Sequence, residues 1–379
     1  MPVAAPTVPV DSAFAKRIRV MIVDDSIVIR RALSKWLGEM PDVQIVAAHI
    51  NGRRAVDDIA NSQPDVVILD IEMPGMDGLA ALPLLLQRKP GTTIIVASTL
   101  SRRGAEVSLR ALTLGAADYL TKPESTDPAG LERFHADLVS KIHQLGARKA
   151  RQEGPPTAAG VKARLRSVPP RRGLRPYSMA AVRAIFIGSS TGGPQAVTRL
   201  MTDLGPATGN VPVLIAQHMP AMFTAILAEH VAKASGRPAV EGIDGTVLQP
   251  GRIYIAPGGF HMRVARSGEV PVIRIIDGPP VNFCKPAIDP LFESAAAVFG
   301  VNTLGIVLTG MGSDGARGAR RIADAGGTVI AQDEETSVVW GMPGASVEIG
   351  AAIQTLPITD VGPTVTSRMS VMIRGAHHP

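Results

Sequence analysis

Cysteine is almost missing from this chain of 379 residues: the single Cys284 excludes an intrachain disulfide framework and fits a reducing cytosol. Aromatic side chains supply only 3%, and no apolar run approaches the length of a membrane span, so direct membrane insertion is not expected. Met1 to Lys16 is rich in Pro and Ala but has no apolar core behind a basic start, so it does not read as a signal peptide. Charge is sparse as well. At 19% charged and 45% hydrophobic, the composition is that of a soluble protein with a large buried interior. The length exceeds what one ordinary core organises, which makes two domains the expectation.

The charge that is present is unevenly placed. An isoelectric point near 9.7 suggests a nucleic-acid partner. Yet Arg148 to Arg183 alone holds ten Lys/Arg and one acid, Glu153; the whole chain is only +6, leaving about −3 for the rest. That basic stretch has no aromatic interleaving and no nucleic-acid-binding pattern. With Gly154-Pro155-Pro156 and Pro169-Pro170 it reads as a solvated linker over residues 147–182, spanning about 30–35 Å as a flexible chain.

On either side of it, apolar runs alternate with helical patterns. Residues 18–146 offer strands at Ile18–Val23, Val43–Ala48, Val66–Leu69, Ile94–Ala97 and Tyr119–Leu120, closed by a helix over Leu131–Leu145. Residues 183–376 offer strands at Ala184–Ile187, Val213–Ala216, Ile253–Ile255, Leu304–Leu308 and Thr328–Ala331, with a hairpin at Met262–Ala265 and Val272–Ile276. Helices are expected at Gln195–Leu204, Met222–Ala234, Pro290–Phe299, Ala316–Ala325 and Ser346–Ala352. The fold class is α/β: two doubly wound parallel-sheet domains, a five-stranded one and a larger one with an added hairpin. Residues 1–17 are expected to be a disordered tail.

In the first domain, Asp24-Asp25 follow the first strand, Asp70 ends the third, and Lys122-Pro123 follow the fifth. Ligands of open parallel sheets gather beyond the carboxyl ends of strands, so these groups share one pocket. Clustered carboxylates call for a cation, and all-oxygen ligation suits Mg²⁺. Asp70 is placed to attack phosphorus, Lys122 to pair with the transferred phosphoryl group, and Ser98 or Thr99 to hydrogen-bond it. The bland alternative makes Asp24 and Asp70 helix caps and Lys122 a surface charge.

These stretches (Val23-Asp24-Asp25-Ser26, Leu69-Asp70-Ile71-Glu72-Met73-Pro74-Gly75-Met76-Asp77-Gly78 and Thr121-Lys122-Pro123) resemble the receiver domain of two-component response regulators. The resemblance implies Mg²⁺-dependent phosphorylation of Asp70 by a partner histidine kinase, with the backbone carbonyl of Glu72 also on the metal.

In the second domain, Ile185-Phe186-Ile187-Gly188-Ser189-Ser190-Thr191-Gly192-Gly193-Pro194 is a strand running into a tight turn at a helix start. Gly188, Ser190 and Gly192 fit the spacing of a nucleophile elbow, and helix-terminal N–H groups there can hold an oxyanion. A phosphate-binding or merely structural Gly-rich turn is the alternative. A serine nucleophile needs a base backed by a carboxylate. His218 follows the second strand; His261 also lies near a strand end; His230 sits within a helix, and His377 and His378 lie in the tail. Position favours His218 over His261. Asp314, in a third strand–turn–helix loop, supplies the carboxylate or serves as a helix N-cap.

Ile187-Gly188-Ser189-Ser190-Thr191-Gly192-Gly193, Gln217-His218-Met219-Pro220, Ile255-Ala256-Pro257-Gly258, Leu308-Thr309-Gly310-Met311-Gly312-Ser313-Asp314-Gly315-Ala316 and Trp340-Gly341-Met342-Pro343 resemble the chemotaxis protein-glutamate methylesterase domain. The family's triad falls on Ser190, His218 and Asp314, with the backbone N–H groups of Thr191 and Met311 as oxyanion donors. The resemblance implies a cytoplasmic serine hydrolase of chemotaxis adaptation. It would remove glutamate γ-methyl esters from methyl-accepting chemoreceptors, deamidate receptor glutamines, need no cofactor for that chemistry, and be gated by its receiver. Phe283-Cys284 departs from the basic or His-containing pair common in the family, which touches substrate contacts rather than chemistry. A non-enzymatic receptor-binding adaptor and an esterase for a small diffusible ester are the rival readings.

Overall fold

A computed structural model describes residues 17–123, 128–153, 178, 180–204 and 208–375. Nearly all of the expected N-terminal tail, most of the expected linker and the two tail histidines lie outside these.

The first half alternates strand and helix. It runs β1 (Ile18–Val23), α1 (Ile27–Gly38), β2 (Val43–His49), α2 (Gly52–Ser62), β3 (Val66–Asp70), α3 (Gly78–Arg88), β4 (Thr93–Thr99), α4 (Arg102–Thr113), β5 (Asp118–Lys122) and α5 (Pro128–Glu153). The strands pair in parallel in the order β2-β1-β3-β4-β5. β3 is buried along its whole length, as its unbroken apolar run requires of a strand covered on both faces. The helix starts are capped by Ser26, Asn51, Asp77 and Ser101, so neither Asp24 nor Asp70 serves as a cap. The closing helix runs past its expected end at Leu145 to Glu153.

The second half contains β6 (Ala184–Ser189), α6 (Gly193–Leu204), β7 (Val213–Gln217), α7 (Phe223–Ser235), β8 (Ala239–Glu241), β9 (Ile253–Ile255) and the hairpin β10 (His261–Ser267) and β11 (Val270–Ile276). It continues with α8 (Ile288–Phe299), β12 (Thr303–Val307), α9 (Ala316–Asp324), β13 (Thr328–Gln332), α10 (Gly341–Glu348), β14 (Gln354–Leu356) and α11 (Ile358–Gly375). Seven strands pair in parallel in the order β14-β13-β12-β6-β7-β9-β8, and the hairpin forms its own two-stranded sheet.

Three of these elements escape the expectation. β8 and β14 have three residues each, too short for periodicity to register, and α11 begins beside Pro357 and carries Pro363 inside it. The helix expected at Ser346–Ala352 lies earlier, at Gly341–Glu348, where two glycines and Pro343 mask the pattern.

The halves touch. Tyr119 stacks on Phe223 with ring centroids 4.8 Å apart. Arg102 pairs with Glu229 at 2.9 Å, and Gln195 donates to the carbonyl of Ala116 at 2.8 Å. The buried apolar side chains of both halves form one continuous cluster through this seam. Further along it, the Ser140 hydroxyl lies 3.1 Å from the sulfur of Met311.

Candidate active site

In each sheet the strand order reverses at an interior strand, and ligands bind at that switch point. In the larger sheet the reversal lies between β6 and β12, with β7 on the far side of β6. The loops after these three strands carry Ser190, Asp314 and His218. Register brings them close: Ser189 pairs with Gln217 across β6 and β7, and the His218 N–H donates to the Ser189 carbonyl, so Ser190 and His218 are the next residues out.

The turn holding Ser190 is fixed from three sides. Its N–H donates to the Thr309 carbonyl at 3.0 Å, and its carbonyl accepts from Gly193 N–H at 2.7 Å and from the Gln217 amide at 2.9 Å. Gly192 takes φ +72°, which a side chain would resist. Gly310 approaches so closely that a Cβ there would lie 2.8 Å from the Ser190 Cβ. Among the described residues, neither Thr191 N–H nor Met311 N–H has an acceptor; Thr191 follows the serine in sequence, and Met311 follows Gly310, which packs against that serine.

His218 Nε2 lies 2.8 Å from Asp314 Oδ2, and both side chains are nearly buried. Asp314 does not cap its own helix. It sits instead at the N-terminus of α8, accepting from Ile288 N–H at 2.6 Å and Asp289 N–H at 3.2 Å, and from the Asn282 amide at 2.9 Å. Burial would raise its carboxyl, but His218 and these donors outweigh it and hold Asp314 below the usual carboxylate range. Burial likewise pulls the imidazole down, and its bonds to Asp314 and to the Cys284 sulfur reverse that, pushing His218 up to about 9. The sulfur lies 3.3 Å from His218 Nδ1. The Ser190 hydroxyl itself makes no hydrogen bond to the imidazole here. His261, the other candidate base, has both ring nitrogens committed to backbone: Nε2 to the Pro279 carbonyl at 2.9 Å and Nδ1 to Ala287 N–H at 3.1 Å.

Asn282, Cys284 and the α8 N-terminus carry no motif that sequence reading attaches to a triad. Only the departure at Phe283-Cys284 marked the segment at all.

The smaller sheet reverses between β1 and β3, and its acidic group lies there. Ligand oxygens of Asp24, Asp25 and Asp70 all fall within 4.8 Å of one another, a hard donor set that fits Mg²⁺. Lys122 Nζ bridges Asp24 at 2.7 Å and Asp70 at 2.8 Å. Burial, with Asp24 adding to it, raises Asp70 to about 6 against the pull of Lys122. Burial also works against the Lys122 cation, but the two carboxylates hold it above its ordinary value. Glu72 donates its N–H to Asp70 Oδ1 at 3.3 Å, while its carboxylate turns to Arg103. Ser98 and Thr99 end β4 rather than follow it. The Ser98 hydroxyl is 2.6 Å from that of Ser108 on α4, and Thr99 pairs with Ser101.

Comparison with known proteins gives a family for each half. Residues 20–129 match the response regulator receiver domain family and residues 185–365 match the CheB methylesterase family. The chain is 51% identical over 94% of its length to a protein-glutamate methylesterase/protein-glutamine glutaminase of Rhodopseudomonas palustris, covering 95% of that protein. A counterpart from Bradyrhizobium diazoefficiens is also 51% identical, over 92% of this chain and 93% of its own. One from Nitrobacter hamburgensis is 50% identical, over 95% and 96%. No described helix is long and apolar enough to cross a membrane. With a receiver sheet joined to an esterase sheet and relatives matched nearly end to end, the chain belongs to the protein-glutamate methylesterase/protein-glutamine glutaminase family.

Proposed function

We propose that the protein hydrolyses glutamate γ-methyl esters on methyl-accepting chemoreceptors through Ser190, His218 and Asp314, and deamidates receptor glutamines with the same groups, under control of phosphorylation at Asp70 by a histidine kinase. The observation that carries this is the 2.8 Å bond between a nearly buried His218 and an Asp314 held by a helix N-terminus, one strand away from Ser190. Ser190 Oγ attacks the ester carbonyl carbon while His218 Nδ1, the nitrogen away from Asp314, takes its proton. The N–H groups of Thr191 and Met311 hold the tetrahedral oxyanion, each such donor being typically worth about 2.7–4 kcal/mol. Collapse breaks the carbon–methoxide bond, and His218 returns the proton to give methanol. Water then cleaves the acyl-serine with the same base, leaving free glutamate; with a glutamine the leaving group is ammonia.

In the receiver, Asp24, Asp25, Asp70 and the Glu72 carbonyl would hold Mg²⁺, which when bound would supply charge neutralisation for a phosphoryl group at Asp70. Lys122 and Ser98 contact that group once it is on Asp70. Ser98 is now bound to Ser108 of α4, and α4 carries the Arg102 contact to α7. Drawing Ser98 toward phosphorus therefore loosens the helix that docks on the esterase half. A hundredfold suppression of basal activity needs a docked state favoured by about 2.7 kcal/mol. The Ser140 hydroxyl, 3.1 Å from the side-chain sulfur of Met311, supports a receiver docked beside the loop whose Met311 N–H serves as the second oxyanion donor.

The test is methanol release from methylated receptor membranes, with and without a small phosphodonor. Turnover should rise with the donor, and removal of residues 1–182 should raise basal turnover. A folded fragment with unchanged or lower turnover sinks the gating. Hydrolysis of generic esters but not of receptor esters sinks the substrate assignment.

A further inference from the structure

The imidazole of His218 has one ring nitrogen on Asp314, so Nδ1 is the nitrogen left to take the serine proton, which it does only when unprotonated; a sulfur accepting from Nδ1–H keeps the proton there instead. In this structure the partner on Nδ1 is Cys284 Sγ at 3.3 Å, and the Ser190 hydroxyl has no partner among the described residues. We infer that Cys284 is a positioning residue that competes with Ser190 for His218 Nδ1, parking the base away from the serine until the thiol is displaced. This rests on the triad reading above and deepens it.

The backbone around the thiol is built for that placement. Val281 and Cys284 exchange both N–H···O bonds, at 3.1 and 2.9 Å, closing a two-residue turn whose central residues are Asn282 and Phe283. Both take left-handed φ values, +51° and +64°. Asn tolerates this; Phe does so at a cost. Burial of the ring does not offset that cost, because Phe283 is 103% exposed. What the turn does hold is its flanking side chains: Asn282 on Asp314 and Cys284 on His218. The strained turn thus spans two members of the proposed triad.

Other charged groups near the imidazole do not contact Nδ1. Asp289 at the start of α8 touches Asn282 and pairs with Arg317 on α9, and Arg317 also reaches Glu293. Lys285 is turned outward to Asp277. Asp314 and the thiol are the two groups that set the base.

The experiment is the pH profile of kcat/KM for methanol release, measured on the full chain with a phosphodonor. For the parent, activity rises with pH to a midpoint near 9, because only the neutral imidazole accepts the serine proton. Cys284→Ala should lower that midpoint by about one unit and raise activity at pH 7 about tenfold. Cys284→Ser, nearly isosteric, guards against a loosened turn. Its hydroxyl still pairs with Nδ1, so its midpoint falls less and its gain in rate is smaller than in Cys284→Ala. A profile superimposable on the parent's in either variant, or a uniform loss with the midpoint unmoved, overturns the proposal. Ser190→Ala keeps this separate from the triad reading. If Ser190→Ala stays active while Cys284→Ala is inactive, the thiol is the nucleophile, and the serine assignment has failed with the competition.

Discussion

Both sheets put their chemistry where strand order reverses, β1/β3 in the receiver and β6/β12 in the esterase half, but they assemble it from different materials. The receiver brings together formal charges: three carboxylates within 4.8 Å and an ammonium bridging two of them. The esterase half brings together hydrogen-bonding groups whose charge is made by the neighbours, an imidazole raised by its partners and a carboxylate lowered, against its burial, by that imidazole and by a helix terminus. The first site is held at an electrostatic cost that a cation relieves. The second is already satisfied except at the hydroxyl of Ser190, the proposed nucleophile, and Cys284 occupies the second imidazole nitrogen.

The sharpest break of this contrast is Ser190→Ala. Methanol release should fall by about 10⁴–10⁶-fold, the scale for loss of a triad nucleophile, with phosphorylation of Asp70 intact by phosphoprotein gel. Next comes Asp70→Asn, which should abolish the stimulation by phosphodonor, about a hundredfold if the docked state is favoured by about 2.7 kcal/mol.

Stability separates the sites by pH. Asp70 is raised from 3.8 to about 6 and His218 from 6.5 to about 9. Each contributes stability that is complete below its unfolded value and lost as pH rises through its folded value, so the windows are pH 3.8–6 for the receiver and 6.5–9 for the esterase half. Calorimetry should therefore show Asp70→Asn raising the receiver transition at pH 7 by roughly 2–8 °C. Millimolar Mg²⁺ should raise it in the parent and not in that variant. A parent receiver indifferent to Mg²⁺ would contradict the metal assignment. The smallest effect belongs to the seam. Arg102→Ala removes an exposed pair worth about 0–1 kcal/mol, so basal methanol release should rise less than about fivefold.

Charged and Gly-rich motifs announce themselves because their chemistry is local to a loop: Asp24-Asp25, Asp70, Lys122, Ser190, His218 and Asp314 each stand at a readable strand end. Even so, what Asp314 binds was not legible. Its N–H donors are Ile288 and Asp289, 26 and 25 residues away, at the start of a helix that begins two residues before the Pro290 its pattern predicts. Position in the sequence favours His218 over His261 as the base without saying what either ring binds. Burial among backbone donors and acceptors separates them, since His261 is spent on Pro279 and Ala287.

The pattern of apolar runs determined two parallel α/β sheets, and therefore which strand ends could carry chemistry, because side-chain periodicity and burial are properties of the chain itself. Which groups meet at those ends was decided only by tertiary structure. Strand order set Ser190 beside His218, a helix terminus docked on Asp314, and a strained turn carried Cys284 to the second imidazole nitrogen. Contacts of that kind depend on angstrom-scale approach between segments distant in sequence, and no local periodicity encodes them.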